Sequence, residues 1–600
     1  MRKEEDKYCI IKKEDVQVKA FKTLVIFALI IMLLAGMTAC GGSKGSETTA
    51  APTETTIPGP TEPVPTEPQL LEGYDDAIIV AASNSPEEWK TKAEYVCQSG
   101  EMPDELLLAI RKGGKTFKFA PGEYRIDSAK RHIYPGSNTK LVGAYKIYQP
   151  TDRQEVLYPD SSYMAVFKTT AALPSEEWCN NDQFGAIMLS GGKNVLLDSI
   201  AVSGYAIIKI ESARDAEIRN VLIHNYQGEY PNGEWCNMGY GRATGSLWIS
   251  GNTTGVKILN CQIQFSSHHG FDIHSSSNAN IAKDIHLVGV RALYCGCGML
   301  RGENESYWNE AKKVIPETEG YGYYDWSVAF DLCERQNAQN ILLEDCYALE
   351  GWKTNFYTEP EPTGGPITDL KLIRCVSERA GVRTLIPKNR NRETIIKEGE
   401  NAGFYMQGGY FEDCVSKECS KVGWYLNPCR PPANANKPGI VKMINCGDVG
   451  SYISLITEMT DSTSLHTEGF YSIKPMTQAM WLFGGDDFRL MNTTIVCEDG
   501  QTLPPIQMGY MLRMQFRFSR DFSNKLAVSK GGKYDVFRTT NPNSKLTGTV
   551  YNLPDSVPMF EFKAGGGGFN GTTDPNSPNN GITLTRDNTT VINIEDFVKY

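Results

Sequence analysis

Short stretches of alternating hydrophobic and polar residues recur along the chain, and most of them end in Asn or Asp followed by Cys or an aliphatic residue. Alternation with a period of two is typical of β-strands, because successive side chains point to opposite faces. The eight copies are VLLDSI at 195–200, AEIRNV at 216–221, VKILNC at 256–261, IHLVGV at 285–290, ILLEDC at 341–346, LKLIRC at 370–375, GYFEDC at 409–414 and VKMINC at 441–446. Their last residues are separated by 21, 40, 29, 56, 29, 39 and 32 positions. A repeat unit of roughly 21–30 residues with loop insertions fits these separations.

Most copies are followed by a second predicted strand, which opens with a small residue and then alternates. The four examples are GFDI at 270–273, AFDL at 329–332, GVRT at 381–384 and GWYL at 423–426. Two or more short strands per unit, separated by Gly, Asn and Asp turns, favour a parallel β-solenoid. We therefore predict an all-β repeat body.

The repeats resemble the right-handed parallel β-helix of the pectate-lyase-like superfamily, over about 115–500. The likeness includes the entry to the fold, a capping helix over 86–112 followed by TFKFAPGEY at 116–124. It implies a β-helix over 70–500 with a short N-terminal capping helix, and C-terminal β-rich coils or a cap over 501–600. The resemblance predicts the fold more strongly than an activity, because one scaffold hosts many functions.

Five cysteines occupy one register of the repeat, so we expect them to stack as an inward-facing ladder of small hydrophobic residues. They are Cys261, Cys346, Cys375, Cys414 and Cys446. An extracellular location also permits disulfides, with Cys414–Cys419 and Cys295–Cys297 as alternative pairs. We predict no zinc site and assign no metal ligands, because the chain contains no paired CxxC spacing.

The N-terminus has the composition of an export signal. Seven basic residues in 1–22 precede the uncharged run TLVIFALIIMLLAG at 23–36 and the sequence MTAC at 37–40. A basic segment, an apolar segment and small residues before a cleavage point are typical of secretory signals. The end of the segment resembles the bacterial lipobox, which implies lipidation of Cys40; an uncleaved anchor helix is the alternative.

The following segment, 41–69, consists mostly of Gly, Ser, Thr, Pro and Glu, and such a composition predicts an extended linker. Segments 1–40 and 41–69 together predict a protein held by an N-terminal lipid anchor at the extracellular face of the bacterial cell membrane. Hydrophobic residues make up 40% of the chain and charged residues 22%, which is typical of a folded protein. The net charge is −11, so we expect no nucleic-acid partner. We expect a monomer.

Histidines cluster around one predicted strand, since five of the seven lie between 224 and 286. In HGFDIH at 269–274, inward-facing Phe271 and Ile273 would leave Asp272 and His274 on the outward face, about 7 Å apart along the strand. Aligning later coils places Arg301 beside His274 and Asp331 in the row of Asp272, with Arg383 in a later coil. Together with His269, such a surface can neutralise a sugar carboxylate and remove a proton. The alternative is an ordinary polar outer face.

Two long insertions are predicted near this row, and both are rich in aromatic residues. The first, 226–242, contains Trp235 and Tyr240; the second, 302–326, contains Trp308, Tyr324 and Trp326. Aromatic rings stack on sugar rings, and long loops on a repeat scaffold are often functional. The alternative is that these rings only pack each loop onto the solenoid. A basic stretch at 374–397 is a further candidate for attracting uronate polymers, or it is a solvated loop.

HGFDIH also resembles the YGFDPH motif of mannuronan C5-epimerases, which share the predicted fold. The resemblance implies catalytic roles for Asp272 and His274, with His269 in place of the family's Tyr and Ile273 in place of its Pro. Polygalacturonases use a Gly-His-Gly motif and paired aspartates, and here the preceding coil has none. Asp272 and Asp331 lie in separated coils, so we rank hydrolysis below lyase or epimerase chemistry. Calcium is a candidate cofactor through pairs such as Asp486-Asp487, although no cluster of oxygen ligands is recognisable.

These observations predict a surface β-helix protein that binds an acidic polysaccharide and is a candidate lyase or C5-epimerase. The first alternative is a non-catalytic carbohydrate-binding or adhesion lipoprotein, in which the same groove binds without a proton-transfer pair. A purely structural role as a spacer is the third interpretation.

Overall fold

The computed structural model describes residues 68–126, 132–169, 186–204, 207–225, 245–266, 269–274, 279–295, 328–334, 337–351, 353–358, 367–382, 402–426, 440–459, 464–484, 487–508, 539, 541–563 and 567–597. Residues 67–600 form one compact unit. The predicted signal segment, Cys40 and nearly all of the linker therefore lie outside the described residues. In the described ranges no helix is long and apolar enough to cross a membrane.

The described chain is built almost wholly from short parallel strands that stack in three columns, which we call sheets 1, 2 and 3. Sheet 1 contains β1 (Ile78–Ala82), β2 (Tyr95–Cys97), β3 (Thr116–Phe119), β5 (Lys140–Gly143), β8 (Leu196–Asp198), β11 (Glu217–Arg219), β14 (Thr254–Leu259), β17 (Ile281–Val288), β20 (Asn337–Glu344), β23 (Ile367–Ile373), β26 (Gly409–Glu412), β29 (Ile440–Ile444), β32 (Ser464–Glu468), β35 (Asp487–Val496), β37 (Lys545–Tyr551) and β39 (Ile582–Asp587).

Sheet 2 contains β4 (Gly122–Ile126), β6 (Ala165–Thr169), β9 (Ile200–Gly204), β12 (Leu222–Asn225), β15 (Gln262–Gln264), β18 (Arg291–Leu293), β21 (Tyr347–Leu349), β24 (Val376–Glu378), β27 (Val415–Lys417), β30 (Gly447–Val449) and β33 (Tyr471–Ile473). The last part of β35 also pairs with β33, which joins sheets 1 and 2.

Sheet 3 contains β7 (Ile187–Ser190), β10 (Ile208–Glu211), β13 (Gly245–Ser250), β16 (His269–His274), β19 (Val328–Glu334), β22 (Thr354–Tyr357), β25 (Ala402–Met406), β28 (Val422–Leu426), β31 (Ile453–Met459), β34 (Gln478–Gly484), β36 (Ile506–Met508) and β38 (Phe560–Phe562). Each full coil passes from sheet 3 to sheet 1, then to sheet 2, and returns to sheet 3 one strand further along. Such parallel crossovers are right-handed. The predicted fold, a right-handed parallel β-helix, is thus confirmed.

The corner between sheets 1 and 2 explains the motif that the sequence repeats. The residue before the final position of every copy has a positive φ, for example 51° at Asn260, 54° at Asp345 and 49° at Asn445. Asn, Asp and Gly tolerate this left-handed conformation better than other residues do. One residue in this conformation turns the chain and directs the next side chain into the core. The motif therefore encodes a corner.

Aromatic side chains form a continuous stack inside the solenoid. Phe330, Phe356 and Phe404 lie at one register position on consecutive strands of sheet 3, with ring centroids 4.8 Å apart in both pairs. Phe404 in turn stacks on Trp424 at 4.0 Å. All four residues are completely buried. Since the strand spacing matches the ring spacing, one aromatic residue per coil fills this part of the core without gaps.

The predicted cysteine ladder is present. Cys346, Cys375, Cys414 and Cys446 lie at equivalent corners of consecutive coils, while Cys261 lies two coils earlier, with Val290 between. All are buried, and the ten described cysteines are free thiols. The alternative pair Cys414–Cys419 is therefore not formed in this structure, and Cys297 lies outside the described residues. Burial raises the pKa of Cys261 to about 12, and that of Cys375 well above the ordinary thiol range.

The N-terminal cap differs from the single helix predicted over 86–112. Two helices are found, α1 (Glu87–Lys90) and α2 (Asp104–Lys112), and they are separated by β2 and a 3-10 turn at Gln98–Gly100. The reason is that β2 pairs with β1, which takes this stretch out of the helical pattern. Leu106 and Ile110 of α2 are completely buried in the core, so α2 covers apolar residues at the start of the solenoid.

The outer face of sheet 2 is covered by the chain itself. The segment before β6 lies across it: Gln262 Nε2 donates to Glu155 O at 2.9 Å, and an Arg291 guanidinium nitrogen donates to Pro150 O at 2.6 Å. Further along, Phe597 packs on Tyr471 with ring centroids 5.2 Å apart. This face is therefore occupied by structural contacts.

A buried acid interrupts the apolar core. Asp448 is completely buried, and its Oδ1 accepts hydrogen bonds from Ser416 Oγ at 2.6 Å and Ser451 Oγ at 2.5 Å, while Oδ2 accepts one from Ser454 Oγ at 2.7 Å. A Cβ on Gly423 would lie 2.2 Å from Asp448 Oδ1, so glycine makes room for the carboxylate. Burial raises the pKa of Asp448 to about 6, although the serine hydroxyls oppose the shift.

The raised pKa of Asp448 predicts a pH-dependent stability. The pKa of Asp448 is higher in the folded protein than in the unfolded chain, so the protonated side chain stabilises the fold. This stabilisation is fully present below about pH 4 and is lost as the pH rises through about 6. Asp448→Asn removes this titration. Between pH 4 and pH 7 the free energy of unfolding of the variant should therefore rise relative to that of the wild type, by up to about 3 kcal/mol. Thermal unfolding at a series of pH values measures this difference. Asp215→Asn, at an exposed corner, is the control; parallel pH profiles of Asp448→Asn and wild type would contradict the assignment.

The buried thiols predict slow alkylation of the folded protein. Without reductant, iodoacetamide should leave the ten described cysteines unmodified in the native state and modify all ten after denaturation, because burial suppresses the reactive thiolate. Peptide mass spectrometry reads each site, and a sample reduced before denaturation is the control. Cysteines that react only in the reduced sample would reveal disulfides.

Candidate functional site

The strand that carries HGFDIH lies between two strands that follow the predicted aromatic insertions. This strand, β16, pairs with β13 on one side and with β19 on the other. β13 starts just after the insertion at 226–242, and β19 starts just after the insertion at 302–326. Each insertion lies in the chain between a strand of sheet 2 and a strand of sheet 3. The topology thus places the strand that follows each insertion at one of the two edges of β16.

Phe271 and Ile273 belong to the core cluster, so Asp272 and His274 point to the outer face of sheet 3. Asp272 pairs in register with Asp331 of β19, which is the position predicted for Asp331. Neighbouring strands lie about 4.8 Å apart. The argument that these aspartates lie in separated coils is therefore wrong, because β16 and β19 are neighbouring strands and their coils are adjacent.

Three side chains at this point of the outer face are buried, which the alternation of the sequence does not show. Asp272 is completely buried, and His274 and Asp331 are 7% and 2% exposed. The Nδ1 atom of His274 lies 3.9 Å from Asp272 Oδ2. A carboxylate and an imidazole at this distance are within reach of proton exchange through a small shift or a bridging group.

His269 lies on the same strand, and its ring contacts the start of the next coil. The backbone N–H of Val328 donates to His269 Nδ1 at 3.2 Å. Because Nδ1 accepts a hydrogen bond, the neutral ring carries its proton on Nε2. The carbonyl of His269 accepts a hydrogen bond from Ser266 Oγ, which in turn accepts one from Ser246 Oγ at 2.7 Å. These contacts fix the backbone at the start of β16.

Space for Asp272 is provided by a glycine on the neighbouring strand. A Cβ on Gly245 would lie 2.5 Å from the Cβ of Asp272, closer than two carbon atoms can approach. On the other side, Asp331 Oδ1 accepts a hydrogen bond from the N–H of Cys333 at 3.2 Å, which holds the second carboxylate in place.

Two residues that sequence reasoning missed extend the row on its N-terminal side. Trp248 pairs with Asp272, and Lys209 pairs with Trp248. The indole N–H of Trp248 donates to the His274 carbonyl at 2.9 Å, and Lys209 Nζ lies 4.1 Å from the centre of the indole ring. The signal was present in the sequence, because IIKI at 207–210 and SLWI at 246–249 show the same alternation as GFDI.

On the C-terminal side the row continues with aromatic residues. Tyr357, Tyr405 and Tyr425 follow Asp331 on consecutive strands, with ring centroids 5.2 and 4.7 Å apart. Of the strand predicted at 381–384, the described residues 381–382 are not part of a strand. Gly381 and Val382 lie in a turn after β24, and the strand of this coil is β25, so Tyr405 occupies the position assigned to Arg383. The string GFYM at 403–406 carried the signal.

Several predicted site residues cannot be placed. These residues, which lie outside the described part of the chain, are Arg301, Trp235, Tyr240, Trp308, Tyr324, Trp326 and Arg383. The structure therefore brings together His269, Asp272, His274 and Asp331 from the predicted set, and it adds Lys209 and Trp248.

The two other candidate features have structural partners. Of the basic stretch at 374–397, Arg374 Nε donates to Asp345 at 2.7 Å and Arg379 Nε donates to Glu350 at 2.9 Å. The carboxylate of the candidate calcium ligand Asp487 accepts hydrogen bonds from His466 Nε2 at 2.8 Å and from the Arg489 guanidinium. Among the described residues no group of three His, Cys, Asp or Glu side chains is arranged to hold a metal ion.

No protein-family model matches the sequence, and no curated protein matches it. Among solved structures, the catalytic domain of a GH87 alpha-1,3-glucanase in complex with tetrasaccharides is similar at TM-score 0.39 and 10% identity, over 87% of this chain and 70% of that chain. Pectate lyase Pel9A is similar at TM-score 0.34 and 11% identity, over 72% and 78%. Bacteriophage CBA120 tailspike protein 3 gives TM-score 0.36 and 10% identity, over 80% and 58%. At these values the similarities assign no activity.

Proposed function

We propose that this protein binds an acidic polysaccharide along the outer face of sheet 3 and modifies it by lyase or C5-epimerase chemistry. The observation that carries the proposal is the placement of Asp272, His274 and Asp331 on the outer face of β16 and β19, with His269 at the start of β16. Acids and imidazoles collected at one point of a repeat scaffold are the groups that proton transfer requires.

Lyase and epimerase reactions share a first step, in which a base removes the proton from C5 of a uronate. In a lyase the resulting carbanion expels the oxygen at C4 and a double bond forms; in an epimerase a second group returns a proton to the opposite face. His274 and Asp272, 3.9 Å apart, are the pair we assign to these transfers. His269, with its proton on Nε2, is the candidate donor to the sugar carboxylate.

Hydrolysis is a second candidate, and the register of the aspartates favours it. Asp272 and Asp331 are paired on adjacent strands. Glycoside hydrolases use two carboxyl groups that flank the scissile bond, either about 5–5.5 Å or about 6.5–9.5 Å apart. The non-catalytic carbohydrate-binding or adhesion role is the remaining alternative, and the complete burial of Asp272 favours it.

The location is also a proposal. Segment 1–40 has the pattern of a lipoprotein signal, so we propose that the chain is exported and carries a lipid on Cys40, which holds it at the outer face of the bacterial membrane.

Substitution of the two central residues tests the catalytic assignment. The full chain in detergent is incubated with uronate polysaccharides, with and without calcium, while a new double bond is followed by ultraviolet absorbance, cleavage by reducing ends and epimerisation by proton exchange at C5. Asp272→Asn and His274→Ala should each lower turnover by about 10²–10⁴-fold, because they remove a proton-transfer group. Asp284→Asn and His286→Ala, on sheet 1, are the matched controls.

The three readouts separate the alternatives. Reducing ends without a double bond would indicate a hydrolase, and binding without any of the three signals would indicate an adhesion role. Turnover that survives both substitutions would exclude the site.

Replacing the lipidation residue tests the location. Cys40→Ser should abolish incorporation of labelled palmitate and release the protein from the membrane fraction, because a thiol is needed for the thioether bond. Cys9→Ser, within the signal segment, is the control. Membrane retention by Cys40→Ser would favour the uncleaved anchor helix.

A further inference from the structure

Lys209 is a buried cation in the row that contains the candidate catalytic residues. We infer that Lys209 recognises a carboxylate of the polysaccharide, at a subsite two strands to the N-terminal side of Asp272. The inference rests on the proposed function and adds to it the residue that selects an acidic chain over a neutral one.

The register determines where this subsite lies. Lys209, Trp248 and Asp272 occupy the same position on the consecutive strands β10, β13 and β16. At about 4.8 Å per strand, the backbones of Lys209 and Asp272 are roughly 10 Å apart along the solenoid axis. A linear polysaccharide that lies along the axis with one sugar at Asp272 therefore places another sugar of the same chain at Lys209.

The ammonium group has capacity for another acceptor. Lys209 is 7% exposed, and its Nζ contacts Glu211 Oε1 at 3.2 Å and the face of the Trp248 ring at 4.1 Å. A lysine ammonium has three N–H donors, and in the described part of the chain Glu211 is its one carboxylate partner. The Glu211 side chain is 39% exposed, so water weakens this pair.

The acidic residues of this row would repel an anionic ligand, and Lys209 can offset that repulsion. Asp272 and Asp331 are both acids, and an anionic sugar beside them would be repelled unless a cation lies close by. In the part of this row that runs from Lys209 to Tyr425, Lys209 is the positive member. A buried cation interacts with a carboxylate more strongly than an exposed one, because less water competes.

Trp248 couples Lys209 to the candidate catalytic strand. Its indole ring lies against the ammonium, and its N–H donates to the carbonyl of His274. A merely structural role for Lys209, in which it only holds Trp248, is the alternative that the experiment must separate. The two roles differ in one respect, because a structural role affects the binding of charged and neutral polysaccharides equally.

The test compares an acidic polymer with its neutral form. Titration calorimetry of the full chain in detergent measures binding of polygalacturonate and of carboxyl-reduced polygalacturonate, a polymer of the same linkage without charge. Lys209→Met keeps the methylene stem and removes the charge. We expect it to weaken binding of polygalacturonate about tenfold or more, since a hydrogen bond to a charged group is lost, and to leave binding of the reduced polymer unchanged. Lys257→Met, an exposed lysine on β14, is the matched control.

A second variant tests the same residue in the opposite direction. Glu211→Gln leaves Lys209 in place and removes its partner, so binding of polygalacturonate should strengthen severalfold. Melting curves check that both variants are folded. Equal losses for both polymers with Lys209→Met, or no loss, would overturn the inference, as would tighter binding of a sulfated galactan than of polygalacturonate.

The outcomes also separate this inference from the proposed function. Wild type that binds the reduced polymer as tightly as polygalacturonate would leave polysaccharide binding standing and remove the role of Lys209. Wild type that binds neither polymer would overturn both.

Discussion

The regular coils of the solenoid depend on a single backbone conformation at the corner between sheets 1 and 2. In every coil that carries the repeated motif, one residue, such as Asn260 or Asp413, adopts a positive φ, and the residue that follows it turns into the core. The recurring corner brings the strands of successive coils into register, so that aromatic rings stack on aromatic rings and the corner cysteines lie one above another.

Strict register has a chemical consequence at sheet 3. Because equivalent positions of adjacent coils lie about 4.8 Å apart, residues far apart in the chain become neighbours whenever an insertion leaves and returns at the same corner. Asp272 and Asp331 meet in this way, with Trp248 and Lys209 before them and Tyr357 after them. The candidate site is therefore a row along the axis, a shape that suits a linear ligand.

The interior is not uniformly apolar, because it contains the buried acid Asp448. Asp448 is enclosed by serine hydroxyls at a point where Gly423 leaves space, so its carboxylate is solvated by the protein. Desolvation still outweighs these hydrogen bonds and raises the pKa. The buried acids Asp448 and Asp272 both lie where a neighbouring glycine leaves room for the acid side chain.

The sequence alone determined the fold, because the corner motif and the period-two alternation are local and repeat many times. It also determined the inward cysteines and the facing of Phe271 against Asp272, since alternation fixes the face of a strand. Only the tertiary structure decided which strands are neighbours. It put Tyr405 in the row between Tyr357 and Tyr425, paired Asp272 with Asp331 and buried both aspartates. Insertions of unequal length hide this pairing, because separation along the chain does not measure distance across stacked coils.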